Sequence, residues 1–198
     1  MVFIIRNFLS TDDMRELNTF VDEGVKLGWL GPGIDRGRFN YSGRYTSRLY
    51  GDNFEYPEIV GDVYKRITDA LSLHDLKKSV LGGGKNGVVV SCTFHGGDVY
   101  EHKDPKEENG LEVLRCNIMT RSPTDGGVLF VDGKQVDLGE GDLHCYLASN
   151  VKHYVTPVSG PISRVLWMFG YQVSQQDWDR KLANVLVKLK QTDKGQPQ

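Results

Sequence analysis

His102 and Asp104 stand two positions apart in Gly97-Asp98-Val99-Tyr100-Glu101-His102-Lys103-Asp104. Alternate residues of an extended segment point to the same side, so this imidazole and carboxylate can reach one ion. Alone the pair is a weak signal, because a solvated turn at Lys103-Asp104-Pro105 accounts for it equally well. His153, followed by Arg164, strengthens it. Two imidazoles and a carboxylate on one face of a metal, with open positions opposite, suit a non-haem Fe(II) centre. A guanidinium set back from the metal could hold the far carboxylate of a dicarboxylate co-substrate through a bidentate fork. His153 and Arg164 are an odd number of residues apart and would face opposite sides of one unbroken strand. A hairpin of residues 153–157 with 162–169, turning at Val158-Ser159-Gly160-Pro161, instead sets Arg164 opposite Val155, on the face of His153. His95 and His144 could supply alternative ligands, and their simpler reading is as ordinary strand or loop histidines.

A second constellation lies at Asp35 to Arg48 (DRGRFNYSGRYTSR), where Arg36, Arg38, Arg44 and Arg48 alternate with Phe39, Tyr41 and Tyr45 and no acid follows before Asp52. Such a segment can grip an anion: a carboxylate, a nucleotide or a phosphate backbone. We read it as a substrate-binding lid carrying Arg36, Arg38, Tyr41, Arg44 and Arg48; the plainer reading is a solvated loop whose aromatics cover the core.

The elements that must position these residues can be traced along the chain. Val2 to Ile5 reads as a first strand, and Ser10 with Asp13 forms a capping-box start for a helix with Met14, Leu17, Val21 and Val25 on one face. Gly28, Gly31, Pro32 and Gly33 end it and open a long irregular stretch to about residue 56. Pro57 sits in the first turn of a second helix, striped by Val60, Val63, Ile67 and Leu71. From about residue 87 to 173 short runs rich in Val, Thr, Phe, Tyr and Leu alternate with turn residues, predicting about eight strands. Asp132-Gly133 between two such runs is a two-residue hairpin signal. A last helix capped by Ser174 presents Trp178, Leu182, Val185, Leu186 and Leu189, before a polar tail from residue 191. Helices followed by a strand-rich block predict one α+β domain over residues 1–190, an antiparallel sandwich or barrel buttressed by helices.

Composition narrows the class. With 198 residues, 39% hydrophobic and 25% charged, the chain is an ordinary globular protein rather than a disordered, collagen-like or coiled-coil one. A net charge of −2 excludes a globally basic nucleic-acid binder. Cys92, Cys116 and Cys145 are odd in number and form no CxxC pair, which suits a reducing compartment and buried small hydrophobes. The N-terminal apolar run is too short for a secretory signal and no run is long enough for a membrane span, so a cytoplasmic protein is expected.

Over roughly residues 87–170 the sequence resembles the 2-oxoglutarate and Fe(II)-dependent dioxygenases, and among them the prolyl-hydroxylase-like branch. Four segments carry the resemblance in order: the strand ending in His102-Lys103-Asp104, Gly126-Gly127-Val128-Leu129-Phe130, Gly139-Glu140-Gly141-Asp142-Leu143, and His153-Tyr154-Val155-Thr156-Pro157-Val158 followed by Gly160, Arg164 and Trp167. The resemblance implies a double-stranded β-helix (jelly-roll, cupin-like) core with N-terminal buttressing helices and a C-terminal helix. It implies Fe(II) held by His102, Asp104 and His153, and 2-oxoglutarate paired to Arg164. It further implies O2 as oxidant with room for ascorbate, release of succinate and CO2, and hydroxylation of an unactivated C–H bond; Asp104 argues against halogenation. The branch's usual tyrosine before the ligand strand is replaced by Ser91-Cys92-Thr93-Phe94, so Thr93, Tyr100 and Asn117 become candidates for orienting the co-substrate. A small-molecule or peptide substrate, an amino acid or peptide side chain, is the leading expectation. Nucleic-acid base oxidation or demethylation, favoured by the Arg/aromatic segment and Arg48-Leu49-Tyr50-Gly51, and a non-catalytic cupin-like metal- or ligand-binding module are the alternatives.

Overall fold

The structure, a computed structural model, describes residues 1–28, 30–35, 38–46, 56–79 and 87–192, without the side chains of 33–35, 38–42 and 188–192. Strand β1 (Phe3–Ile5) leads into helix α1 (Thr11–Leu27), where the Ser10 hydroxyl accepts from the Asp13 amide at 3.2 Å and the Asp13 carboxylate accepts from the Ser10 amide at 2.9 Å. Both halves of the capping box are formed. The stretch expected to be irregular instead contains a hairpin of β2 (Gly31–Asp35) and β3 (Arg38–Thr46). Its Gly-, Pro- and Arg-rich sequence has no period-two apolar signal; pairing of β3 with the edge of β4 (Val88–Thr93) gives it a ladder to complete. Pro57 is the N-cap of α2 (Glu58–Leu71), one position before its expected place, and the stripe Val60, Val63, Ile67 and Leu71 is buried as expected.

The strand-rich block holds ten strands among the described residues rather than eight: after β4 come β5 (Val99–His102), β6 (Glu112–Arg121), β7 (Asp125–Gly126), β8 (Leu129–Val131), β9 (Lys134–Gln135), β10 (Leu143–Leu147), β11 (His153–Val155), β12 (Val158–Ser159) and β13 (Arg164–Val173). The surplus lies in two-residue strands too short for periodicity to register. Every pairing among the described residues is antiparallel. A seven-stranded sheet runs β1-β10-β6-β13-β4-β3-β2, a four-stranded sheet runs β5-β11-β8-β9, and β12 pairs with β7. The Asp132-Gly133 turn closes β8 onto β9 with φ of 51° and 72°, the positive values a type I′ hairpin requires.

The large sheet is built on strict alternation. Val90, Cys92, Cys116, Ile118, Cys145, Val165, Trp167 and Phe169 point to one side and form one core with α1, α2 and α3 (Gln175–Thr192). The residues between them, Ser91, Arg115, Asn117, His144, Arg164, Leu166 and Met168, line a cavity shared with the small sheet. All three cysteines are free and buried on or beside the helix-covered face. In α3, Trp178, Leu182 and Val185 are buried while Leu186 is exposed; Leu189's side chain and residues 193–198 of the expected tail lie outside the described atoms, and the helix itself runs to Thr192. No helix is long and apolar enough to cross a membrane among the described residues.

The expected hairpin of 153–157 with 162–169 does not form. β11 pairs with β5 and β8 in the small sheet, whereas β13 lies between β6 and β4 in the large one. The turn at 158–161 therefore carries the chain from one layer to the other. Close backbone contact secures the layers: a Cβ on Gly97 would lie 2.8 Å from Thr93 Cγ2 and 2.9 Å from the carbonyl carbon and oxygen of Gly43. Gly97→Ala should therefore lower stability by about 1–3 kcal/mol in chemical denaturation, because backbone must move. Gly61→Ala, in α2 with no atom within 4 Å of the added methyl, should raise stability by about 0.5–1 kcal/mol.

Candidate metal centre

His153 of β11 stands directly opposite His102 of β5, so their rings project into the cavity together with centroids 4.3 Å apart. Each ring is oriented from behind. His102 Nδ1 lies 2.8 Å from the Tyr100 carbonyl and His153 Nδ1 3.3 Å from that of Val151; a carbonyl only accepts, so both protons sit on Nδ1. Both Nε2 lone pairs are left facing Asp104, whose Oδ1 is 3.4 Å from His102 Nε2 and 3.9 Å from His153 Nε2. One ligand atom from each of the three falls within 4.8 Å of the others, a spacing that suits a single divalent ion.

Asp104 is held on its other oxygen. Arg115 of β6 donates to Oδ2 from Nε at 2.8 Å and from a terminal nitrogen at 2.7 Å, while the Asp104 amide donates to the Ala148 carbonyl at 3.0 Å. Burial raises the Asp104 pKa, but the charge of Arg115 and the neighbouring His102 and His153 outweigh it and bring the carboxyl well below the usual range. Burial pushes the His153 imidazolium down to about 4 although Asp104 opposes the shift. At neutral pH Asp104 is thus an anion and His153 a neutral imidazole, the ligating forms of both.

Across the cavity Arg164, 2% exposed at the start of β13, carries Nε and a terminal nitrogen buried without hydrogen-bond partners. Buried donors of this kind cost free energy unless an acceptor meets them. Asn117 Oδ1 and His144 Nδ1 are likewise buried and unpartnered beside it, with Asn117 Nδ2 3.4 Å from His144 Nε2. Burial, then the charge of Arg164, lowers His144 to about 3. Burial, then Arg44, lowers Arg164 to about 10, so it stays a cation at neutral pH. The Gly126-Gly127 pair makes room for this arrangement: both have positive φ, and a Cβ on Gly127 would lie 3.0 Å from Arg164 Cδ.

The structure thus brings His102, Asp104, His153, Arg164, Asn117 and Arg44 around one cavity of about 80 Å³. Thr93 and Tyr100 do not line it. Thr93 stands in register with Arg164 and Arg44 and fills the space against Gly97, and Tyr100 stacks on His102 with centroids 4.9 Å apart. Arg38 and Tyr41 lie on β3 with side chains outside the described atoms; Arg36, Arg48 and the Arg48-Leu49-Tyr50-Gly51 segment lie outside the described residues. His95 is remote from the cluster, its Nδ1 accepting from the Gly160 amide at 3.2 Å. Sequence reasoning missed Arg115, Ser91 and Tyr146, and set His144 aside. Alternation around Cys116 and Cys145 could have placed Arg115, Asn117, His144 and Tyr146 on one face.

Replacing Arg115 by Met should weaken Mn(II) binding about 10- to 100-fold by calorimetry, with the fold retained by circular dichroism, because Asp104 loses the group that aims it. His144 also predicts an acid limb. Folded, it stays neutral to about pH 3; unfolded, it gains a proton near pH 6.5. The unfolded state therefore binds more protons between these values, and stability falls with pH by up to about 1.4 kcal/mol per unit from this group. Urea denaturation of metal-free protein at pH 7 and pH 5 should show a smaller acid loss for His144→Gln than for the unsubstituted chain.

No protein-family model and no curated protein matches the sequence. Solved structures do match in fold. A prolyl-4-hydroxylase from Pseudomonas putida aligns with a TM-score of 0.58 at 18% identity, over 88% of this chain and 92% of that one. A prolyl hydroxylase from Trichoplax adhaerens, solved in complex with a hypoxia inducible factor oxygen degradation domain peptide fragment, aligns with a TM-score of 0.63 at 16% identity, over 90% and 86%. HygX from Streptomyces hygroscopicus, solved with nickel, 2-oxoglutarate and hygromycin B bound, gives 0.59 at 12% identity over 88% and 83%. The α+β fold of the chain is the one these proteins share, a double-stranded β-helix buttressed by helices.

Proposed function

We propose that the protein is an Fe(II)- and 2-oxoglutarate-dependent dioxygenase that hydroxylates an unactivated C–H bond of an amino acid or peptide side chain, releasing succinate and CO2. The observation that carries this reading is the opposition, in one cavity, of the His102-Asp104-His153 cluster and the buried guanidinium of Arg164, whose Nε and one terminal nitrogen have no hydrogen-bond partner. His102 and His153 would bind the metal through Nε2, and Asp104 through Oδ1, with Arg115 orienting Asp104. Arg164 would take the distal carboxylate of 2-oxoglutarate in a charge-assisted pair, with Asn117 and His144 as neutral polar neighbours that fix its approach. When bound, the metal and co-substrate supply oxidising power for C–H hydroxylation. The helix-covered sheet on one side and the small sheet on the other exclude bulk water from that chemistry. The fold shared with two prolyl hydroxylases and with a protein solved with nickel and 2-oxoglutarate supports the same assignment. A cupin-like module holding only a metal would have no use for the cation of Arg164 behind the site.

Fe(II)-loaded protein supplied with O2 and 2-oxoglutarate should form succinate, increased by pooled amino acids or peptides. Asp104→Ala should abolish the increase by removing a ligand. Arg164→Ala should raise the 2-oxoglutarate concentration needed about 10- to 100-fold, the loss expected for one charge-assisted pair, while metal binding persists. Full turnover by Asp104→Ala, or an unchanged co-substrate requirement in Arg164→Ala, would contradict the assignment.

A further inference from the structure

Arg164 lines a second cavity as well as the one that holds the metal ligands. The second cavity, about 220 Å³, is built by the end of β6, the segment from β7 into β8 and the chain that leaves β9. Gly126 and Gly127 line it and not the first. A Cβ on Gly127 would lie 2.8 Å from Pro123 Cγ and 3.0 Å from Arg164 Cδ, so no side chain fits between this cavity and the arginine. The walls are apolar: Met119, Pro123, Val128, Leu129, Val136 and Leu138. Ser122 and Gln135 add two neutral polar side chains. Asp137 is the one acid among the described lining residues, and its carboxylate is exposed to solvent and pairs with Arg6 at 3.5 Å.

A guanidinium has five N–H donors, and a bidentate carboxylate takes two of them. Arg164 is 2% exposed and its guanidinium forms no hydrogen bond with a described residue; Nε and one terminal nitrogen are fully buried. A carboxylate bound from the metal cavity therefore leaves donors of a desolvated cation over, which is costly until a further acceptor meets them. The second cavity offers a separate approach to the same cation. Its apolar walls suit a ligand with one charge and a hydrocarbon tail, whereas a dicarboxylate or a phosphate would bring further charge against them and against Asp137.

We propose that the second cavity binds a small monocarboxylic acid with an apolar tail, its carboxylate on Arg164, and that this ligand weakens co-substrate binding in the metal cavity. The second half rests on the oxygenase reading; the first does not. Two carboxylates on one guanidinium share its charge and repel each other, so each lowers the affinity of the other by the same factor.

The test is calorimetry on the full-length protein, first without metal, using hexanoate, hexanamide and inorganic phosphate as probes. Hexanoate should bind at one site per chain, about 10- to 100-fold more tightly than hexanamide, and more tightly than phosphate. Leu138→Trp, which fills the cavity, should abolish hexanoate binding; Val136→Ser, at a half-exposed position that spares the fold, should weaken it about threefold by taking apolar surface from the wall. Both variants loaded with Mn(II) should keep 2-oxoglutarate affinity within about twofold of the unsubstituted value. In the unsubstituted Mn(II)-loaded protein, the apparent Kd of 2-oxoglutarate should rise with hexanoate and level off about 5- to 20-fold above its starting value. Hexanoate binding that is absent, no tighter than that of hexanamide or phosphate, or unchanged in both variants would overturn the site. A 2-oxoglutarate Kd that rises in proportion to hexanoate without levelling would put hexanoate in the metal cavity and overturn the proposal too, and no rise would overturn the coupling. Failure of Mn(II)-loaded unsubstituted protein to bind 2-oxoglutarate without hexanoate would overturn the oxygenase reading and the coupling with it, while the hexanoate titrations still decide the site.

Discussion

The opposition of His102 and His153 across β5 and β11 sets the geometry of everything else in the cavity. Two imidazoles with their Nδ1 atoms tied to backbone carbonyls can turn their Nε2 atoms only toward a common point, and Asp104 reaches that point from the loop beyond β5. Just before β11, Lys152 pairs with Glu101 of β5 at 2.8 Å beside the two histidines. A one-residue slip of either strand would turn its imidazole outward and dissolve the cluster.

The large sheet answers from the other wall by dividing its residues between two environments. Its apolar face carries the stability: Trp167, Phe169 and the three cysteines pack with helices α1, α2 and α3. Its polar face carries Arg115, Asn117, His144 and Arg164 into a space where water is scarce and unpaired polar groups are expensive. Arg115 and Asp104 satisfy one another, whereas Arg164, Asn117 and His144 retain buried atoms without partners. A fold that supports these unpaired groups does so on the strength of the apolar layer behind them.

Much of this was legible in the residues. His102-x-Asp104 with His153 named three residues that the fold gathers around one point, and Ser10 with Asp13 named the first helix and Asp132-Gly133 a hairpin, because the last two depend on neighbours within a few positions. What escaped depends on partners distant in sequence. β11 and β13 are separated in the chain only by the two-residue β12, and the sequence predicts that they pair, yet the topology sends them to opposite layers; Arg164 reaches the cavity because both layers face it. Arg115 has no motif of its own, and its role exists only because β6 passes beneath Asp104. The β2–β3 hairpin has no alternation visible in its Gly- and Arg-rich sequence, so nothing local places Arg44 on a strand.

The metal assignment is tested most simply by titrating metal-free protein with Mn(II), then with 2-oxoglutarate, with each heat measured separately. One metal site per chain is expected, lost on replacing His153 by Ala, with 2-oxoglutarate binding that requires the metal. Metal binding unchanged by that replacement, or 2-oxoglutarate binding equally strong without metal, would contradict it.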